Sequence, residues 1–284
     1  MHWKLKAAGF RTLDVLPFGE SLHFLIQRRL TRSWPHSSPV VKTYIDSAKE
    51  TLRTFSIHSD TPVGRARFLE IGAGRDLALP IALKLLGAKQ VMAVDIRRLA
   101  KLSLVNLSAK IIATKLGEKL EPFSSWHALK EFGIDYRAPC DITFDQLGSF
   151  DAFISSSVLE HIPRDALQNI LVATKKFLAQ GGLSIHVIDY SDHYARDGGI
   201  SKFNFLTFGD DEWLPFNSRL QYVNRLRHSE YLAFHRRAGL DIVCTEVHSE
   251  DLPSHVSKNL AARFRELEPD DLKILYARIV SRRT

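Results

Sequence analysis

Short apolar runs of strand length alternate along this chain with stretches whose apolar residues recur every three or four positions. Phe68-Leu69-Glu70-Ile71 runs into the turn Gly72-Ala73-Gly74, and a helix is predicted from about Asp76 to Leu86, stopped by Gly87. Gln90 to Asp95 reads as a second strand. Arg97 to Leu116 reads as a long helix, with Leu99, Leu102, Val105, Ile111 and Ile112 in its pattern. Trp126 to Phe132 reads as a short helix, and a third strand falls around Ile134 to Ile142. Phe150 to Ser157 is a buried strand, Arg164 to Leu178 a helix, and Leu183 to Asp189 a fifth strand after the turn Gln180-Gly181-Gly182. Tyr222 to Ala238 reads as a helix closed by Gly239, and Leu240–Val247 and Ile274–Val280 as two last strands. This β-α repetition predicts an α/β, Rossmann-like fold: a seven-stranded, mostly parallel sheet with helices on both faces.

Two further helices are predicted before the first strand, Ser21 to Leu30 and Val40 to Phe55, joined by the breaker-rich linker Trp34-Pro35-His36-Ser37-Ser38-Pro39. The chain is therefore divided into an N-terminal helical extension, 1–62, and an α/β domain, 63–284. Within the latter, residues 190–220 break the repeat with Gly198, Gly199, Gly209, Pro215 and five aromatics, Phe203, Phe205, Phe208, Trp213 and Phe216. A long aromatic connection after a strand's carboxyl end suits a lid or substrate wall, and core packing accounts for it equally well.

A strand, a glycine turn, a helix and a second strand ending in Asp95 form the front half of a nucleoside-binding unit. Gly72 and Gly74 allow a ligand close to the backbone. Asp95 is placed to accept from ribose hydroxyls. The dinucleotide fingerprint asks for a third glycine where Leu77 stands, and a pyrophosphate would be repelled by Glu70, two residues before the first glycine. An amino-acid ammonium would be attracted there.

Glu-x-Gly-x-Gly followed by an acid some twenty residues on resembles motifs I and II of the class I S-adenosylmethionine-dependent methyltransferases. Phe150 to Ile162 resembles their motif IV, and Leu178 to Leu183 their turn before the fifth strand. A bacterial subgroup shares the runs Ile188-Asp189-Tyr190-Ser191-Asp192-His193 and Asn224-Arg225-Leu226-Arg227. The resemblance implies S-adenosylmethionine as cofactor, with Glu70, Gly72, Ala73 and Gly74 along its methionine part and Asp95 on the ribose. Ile96, Asp141 and Ile142 are then set at the adenine, and Ser156 and Val158 beside the sulfonium. His161 and His193 are the candidate bases for a hydroxyl acceptor, with Asp189 as orienting acid. Glu160, Tyr194, Arg225 and Arg227 are the candidate substrate contacts, the arginines as a clamp on an anionic group or as internal ion-pair partners. No metal ligand set is expected, because the twelve histidines are dispersed and show no zinc spacing with cysteine.

The chain has 284 residues, 45% hydrophobic and 25% charged, enough for a sizeable core. No apolar run reaches the roughly 18 residues of a membrane span, and a secretory signal is not expected. Two cysteines, Cys140 and Cys244, suggest a reducing, cytoplasmic setting. The net charge is +7; residues 1–60 hold nine Lys/Arg against five Asp/Glu. A solvated basic face explains this, and so does weak contact with an anionic membrane surface. The expected partner is a small-molecule or glycan-type acceptor. A nucleic-acid partner is not expected, since neither a block of like charge nor an RNA-binding signature occurs. The competing readings are an RNA-directed or non-catalytic methyltransferase-like binding protein and an NAD(P)-dependent oxidoreductase. Oligomeric state is left open.

Overall fold

The structure, a computed structural model, describes residues 2–31 and 33–284, without the side chain of Asp197. Three helices come first: α1 (Trp3–Val15), α2 (Gly19–Arg29) and α3 (Ser38–His58). The α/β part follows as β1 (Arg67–Ile71), α4 (Ala78–Leu85), β2 (Gln90–Val94), α5 (Leu102–Leu116), α6 (Trp126–Phe132) and β3 (Ile134–Arg137). Next come β4 (Phe150–Ser156), α7 (Arg164–Phe177) and β5 (Leu178–Asp189). After a connection containing α8 (Asp210–Trp213), the chain ends with α9 (His228–Arg237), β6 (Leu240–Ser249), three one-turn helices and β7 (Ile274–Arg283).

The seven strands form one sheet in the order β3-β2-β1-β4-β5-β7-β6. The first five are parallel to one another, and β7 runs antiparallel to both β5 and β6. The strand order reverses between β1 and β4, so their carboxyl ends lie side by side at a switch point, where such sheets bind ligands. This is the seven-stranded, mostly parallel, Rossmann-like architecture that the pattern predicts.

Alternation along each strand divides the core into two layers. Phe68, Val91, Ala93, Ala152 and Ile154 face α3, α4 and α5; Leu69, Ile71, Met92, Val94 and Phe153 face α7 and α9. The stripe of α3 (Val41, Ile45, Ala48, Leu52, Phe55) is buried in the first layer, so this helix belongs to the main core. A third, aromatic core joins Trp3 of α1 to Tyr194, Phe203, Phe205 and Trp213. The aromatics of 203–216 thus pack around Trp3, whose ring centre is 4.7 Å from that of Phe216 and 6.1 Å from that of Trp213.

Three boundaries differ from the sequence pattern. The helix expected from Tyr222 begins only at His228, because Asn224, Arg225 and Arg227 are held in an extended loop by side-chain bonds. The helix expected from Arg97 begins at Leu102, after a loop pinned when the backbone N–H groups of Leu99 and Ala100 donate to the Tyr136 hydroxyl. Strand β5 begins at Leu178, with the Gly181-Gly182 turn absorbed as a shift in its register against β4.

Two buried neutral histidines lie where α9 meets the sheet, His235 on the helix and His186 on β5. His186 is bonded on both ring nitrogens, to Ser155 and Ser184 at 2.7 Å each, and His235 bonds Ser281 at 2.8 Å. Burial holds His186 well below its ordinary pKa and pushes His235 down to about 3. Between about pH 6.5 and about 3 the unfolded chain therefore binds more protons at His235 than the native one, and stability falls as pH falls. Glu160, raised to about 8, acts in the opposite sense, so the test is a comparison. A shallower loss of melting temperature between pH 6.5 and 4 is expected for His235→Gln than for the wild type; an identical loss would remove His235 as the cause.

Candidate functional site

The loop after β1 is a cradle without side chains. Gly72 and Gly74 take φ of +70° and +73°, which L side chains rarely adopt. A Cβ on Gly72 would lie 2.6 Å from both methyls of Val158, whereas one on Gly74 would meet open space. Leu77, standing at the third glycine place, keeps that left-handed conformation, with φ +51°, and its side chain is buried in the core.

Glu70, next to last in β1, is 4% exposed, and its Oε2 has no hydrogen-bond partner among the described residues. Burial, aided by the charges of Asp76 and Asp95, pushes its pKa well above the ordinary carboxylate value. Asp95 follows β2; burial raises it too, against the Arg97 and Gly74 N–H groups that donate to it. Asp76 is satisfied internally, accepting from Ser108 Oγ at 2.6 Å and lying 3.0 Å from His36 Nδ1. The linker before α3 is tied in this way to the glycine loop. Helix α2 crosses the same ground: its Glu20 reaches Arg97 at 3.0 Å and Arg75 at 3.5 Å, and Phe24 lies beneath the Arg75 guanidinium.

The remaining cofactor candidates are placed unevenly. Cys140 N–H donates to the Asp95 carbonyl at 2.9 Å, which sets Asp141 beside the end of β2. Oδ1 of Asp141 is taken by Thr143, and Ile142 is buried. Ile96 is exposed. Ala73 is buried within the glycine turn, Ser156 ends β4, and Val158 closes against Gly72. Ser157, between the last two, has a strained φ of +52°.

A second constellation forms past the ends of β4 and β5. Glu160 is 2% exposed; its Oε1 accepts a 3.4 Å bond from the Asp189 N–H, and its Oε2 is unpartnered. Burial pushes it up to about 8. The His161 and His193 rings lie 4.9 Å apart. His161 Nδ1 is 2.6 Å from the Tyr222 carbonyl; its outer face is open to solvent, while desolvation of the packed edge, with His193 and Arg196 beside it, pushes it down to about 4. His193 is buried, with Nε2 3.4 Å from Asp189 Oδ2 and Nδ1 unpartnered. Burial opposes ionisation of Asp189, yet the hydrogen bonds from His193 and Ser191 hold it below the usual carboxylate range. Asn224 locks this corner, donating to the Leu159 and Ile162 carbonyls at 2.9 Å each.

Three candidate substrate contacts need correction. Arg227 has no exposure and donates to the carbonyls of Tyr190 (2.9 Å), Leu272 (3.1 Å) and Ile274. Arg225, 3% exposed, donates to the Phe205 and Phe208 carbonyls and to Asp210. Both hold the 190–227 segment together and are out of reach of an anionic substrate. Tyr194 is buried in the aromatic core, its hydroxyl donating to the Phe216 carbonyl at 2.7 Å. The pattern overlooked others. Arg196 bonds Asp189 at 3.2 Å, Tyr276 from β7 lies 3.3 Å from Ser157 Oγ, and Tyr44 of α3 sits by Glu70 and Asp76, whose charges add to burial in raising its pKa. Tyr44 and Tyr276 fall on ordinary apolar stripes, so nothing local marks them.

The strand order and the glycine turn at the switch point give the Rossmann-like architecture of class I S-adenosylmethionine-dependent methyltransferases. No protein-family model matches the chain, and no curated protein matches it. Among solved structures it is similar to magnesium protoporphyrin IX methyltransferase from Synechocystis with bound S-adenosylhomocysteine, at 13% identity over 85% of this chain and 83% of that one, TM-score 0.48. An S-adenosylmethionine-dependent methyltransferase from Mesorhizobium loti is 17% identical over 84% and 100%, TM-score 0.48. Geranyl diphosphate C-methyltransferase from Streptomyces coelicolor is 14% identical over 89% and 86%, TM-score 0.47. Likeness at this level transfers no activity, substrate or residue role.

Arg227→Met tests the structural placement of that arginine. Leaving several buried carbonyls unpaired should cost about 3 kcal/mol or more, a fall in melting temperature on the order of 10 °C. Unchanged stability would return Arg227 to the substrate contacts.

Proposed function

We propose that this chain is an S-adenosylmethionine-dependent methyltransferase acting on a small-molecule or glycan-type acceptor. The observation that carries the reading is Glu70, a buried carboxylate with a free oxygen beside a Gly-x-Gly turn. A lone buried carboxylate is costly, and an ammonium is the group that relieves it. A pyrophosphate would worsen it, which disfavours a dinucleotide.

S-adenosylmethionine, when bound, supplies a methyl group already activated on a sulfonium. The protein's own part is to bind, align and exclude water. Glu70 takes the ammonium, the Gly72–Gly74 turn lies along the methionine chain, and Asp95 takes the ribose hydroxyls. Ser156 and Val158 then flank the sulfonium, and the acceptor approaches over Glu160, His161 and His193. For a hydroxyl acceptor, an imidazole at this corner would take the hydroxyl proton as the oxygen is methylated. His193 suits that step once Arg196, 3.1 Å from its Nε2, swings away, so that a proton on Nε2 is directed at Asp189 and Nδ1 keeps a free lone pair.

A cavity of about 350 Å³ opens beside Asp189, lined among others by Ser191, Lys202, His248, Glu250 and Tyr276. Its size suits a small ligand, and its mix of donors and acceptors suits a polyhydroxylated one.

Calorimetric titration with S-adenosylmethionine, S-adenosylhomocysteine and NAD tests the cofactor. The first two should bind and NAD should not. Glu70→Gln should weaken both by about ten- to a hundredfold, the worth of a buried charged hydrogen bond. Because Glu70 is raised in the empty site and must ionise to meet an ammonium, affinity should rise with pH above the ordinary carboxylate range, and Glu70→Gln should flatten that rise. Binding of NAD, or of neither adenosyl compound, would end the assignment. Cofactor binding without turnover on any sugar or small hydroxylated acceptor would favour the non-catalytic reading.

A further inference from the structure

Glu160, His161 and His193 each present one ligand atom, and the three atoms lie within 4.8 Å of one another. Two of these side chains carry an orphan: Glu160 Oε2 and His193 Nδ1 are buried without a hydrogen-bond partner. Two unpaired groups on one small cluster of side chains are costly to a folded protein, and a ligand held by both would relieve them.

We infer that this cluster is a binding site for a divalent transition metal ion. Metal-binding histidines commonly have their second ring nitrogen held by a carboxylate or carbonyl, which fixes the ring and the tautomer. Both histidines show that pattern. His161 Nδ1 is held by the Tyr222 carbonyl at 2.6 Å, leaving Nε2 free. His193 Nε2 faces Asp189 Oδ2 at 3.4 Å, leaving Nδ1 free. Two imidazoles and one carboxylate favour Zn²⁺, Mn²⁺, Co²⁺ or Fe²⁺ over Mg²⁺ or Ca²⁺, which prefer all-oxygen sets. Three ligands leave coordination positions open for an oxygen of a bound molecule.

The spacing is that of an open site. Ligand bonds of about 2.0–2.2 Å would bring the three atoms to about 3.0–3.5 Å from one another. Closure of up to about 1.3–1.8 Å falls to His161, open to solvent on one face, and Glu160, whose Oε1 accepts a long 3.4 Å bond. Arg196 is the one cation in contact, 3.1 Å from Nε2 of His193. It stands at the nitrogen opposite the proposed ligand atom, is directed at Asp189, and has a largely exposed side chain free to swing outward.

The site stands by itself; only its use rests on the proposed methyl transfer. There the ion would take the lone pairs otherwise offered to the acceptor's proton, and would hold and polarise the acceptor oxygen instead. This narrows the acceptor to molecules with an oxygen, a hydroxyl or carboxylate, able to enter the metal's open position.

The test uses the full chain, stripped with chelator and titrated with Co²⁺ and Zn²⁺. Co²⁺ should bind at one ion per chain, with visible bands of a nitrogen/oxygen set and no thiolate charge-transfer band. Zn²⁺ should displace it. His161→Ala, at the open edge, should weaken binding at least tenfold, as should Glu160→Gln and Asp189→Asn. His58→Ala, which touches Cys244 far from the cluster, should leave it unchanged. S-adenosylhomocysteine binding should persist in His161→Ala, so that loss of metal is separable from loss of the cofactor site. No bands up to millimolar Co²⁺, or bands undiminished in His161→Ala and Glu160→Gln, would overturn the proposal.

Discussion

The unpaired carboxylate of Glu70 is the constraint around which this site is built. Among the described residues none pairs with its Oε2, and Asp76 and Asp95 press on it with like charge. It stays in place because its neighbours leave no alternative: Phe68 and Leu69 commit β1 to the two core layers, and register with β2 and β4 carries Glu70 to the switch point. A group so placed costs native stability unless a cation arrives. Sites that retain such a cost are those where the missing partner is a ligand.

The rest of the architecture keeps that position dry. Helix α3 lays Tyr44 over Glu70 and Asp76, the 34–39 linker brings His36 to Asp76, and α2 bridges the loops after β1 and β2 through Glu20. Helix α1 in turn is anchored by Trp3 in the aromatic core that includes the 190–216 segment. The two additions to the sheet, N-terminal helices and inserted segment, therefore pack on each other. Arg225 and Arg227, tied to main-chain carbonyls, hold the inserted segment in this position.

The sheet was legible because parallel strands buried on both faces read as near-continuous apolar runs bounded by glycine. The grouping of Glu70, Gly72, Gly74 and Asp95 at the switch point was legible for a related reason: they lie within twenty-six residues, on two adjacent strand ends. Helix α1 was not, since its Lys4, Lys6 and Arg11 interrupt the pattern and its burial comes from aromatics some two hundred residues away. Partners 15 to 47 residues away hid the roles of Arg225 and Arg227. An arginine looks alike in sequence whether it meets a substrate or four carbonyls, and only the fold distinguishes them.

The acceptor side shows the limit most clearly, and also what the electrostatics add. It is assembled from Glu160 and His161 after β4, Asp189 at the end of β5 with His193 and Arg196 after it, and Tyr276 from β7, three stretches that no spacing rule joins. Yet once assembled it repeats the logic of the cofactor end. Glu160, like Glu70, is buried with a free oxygen and raised by burial, and the histidines next to it are held with their lone pairs turned inward. In a chain of net charge +7 the cleft is thus lined by acids and bases awaiting positive or proton-donating groups. On the proposed reading, that pattern suits a cationic cofactor at one end and a metal-held or hydroxylated acceptor at the other.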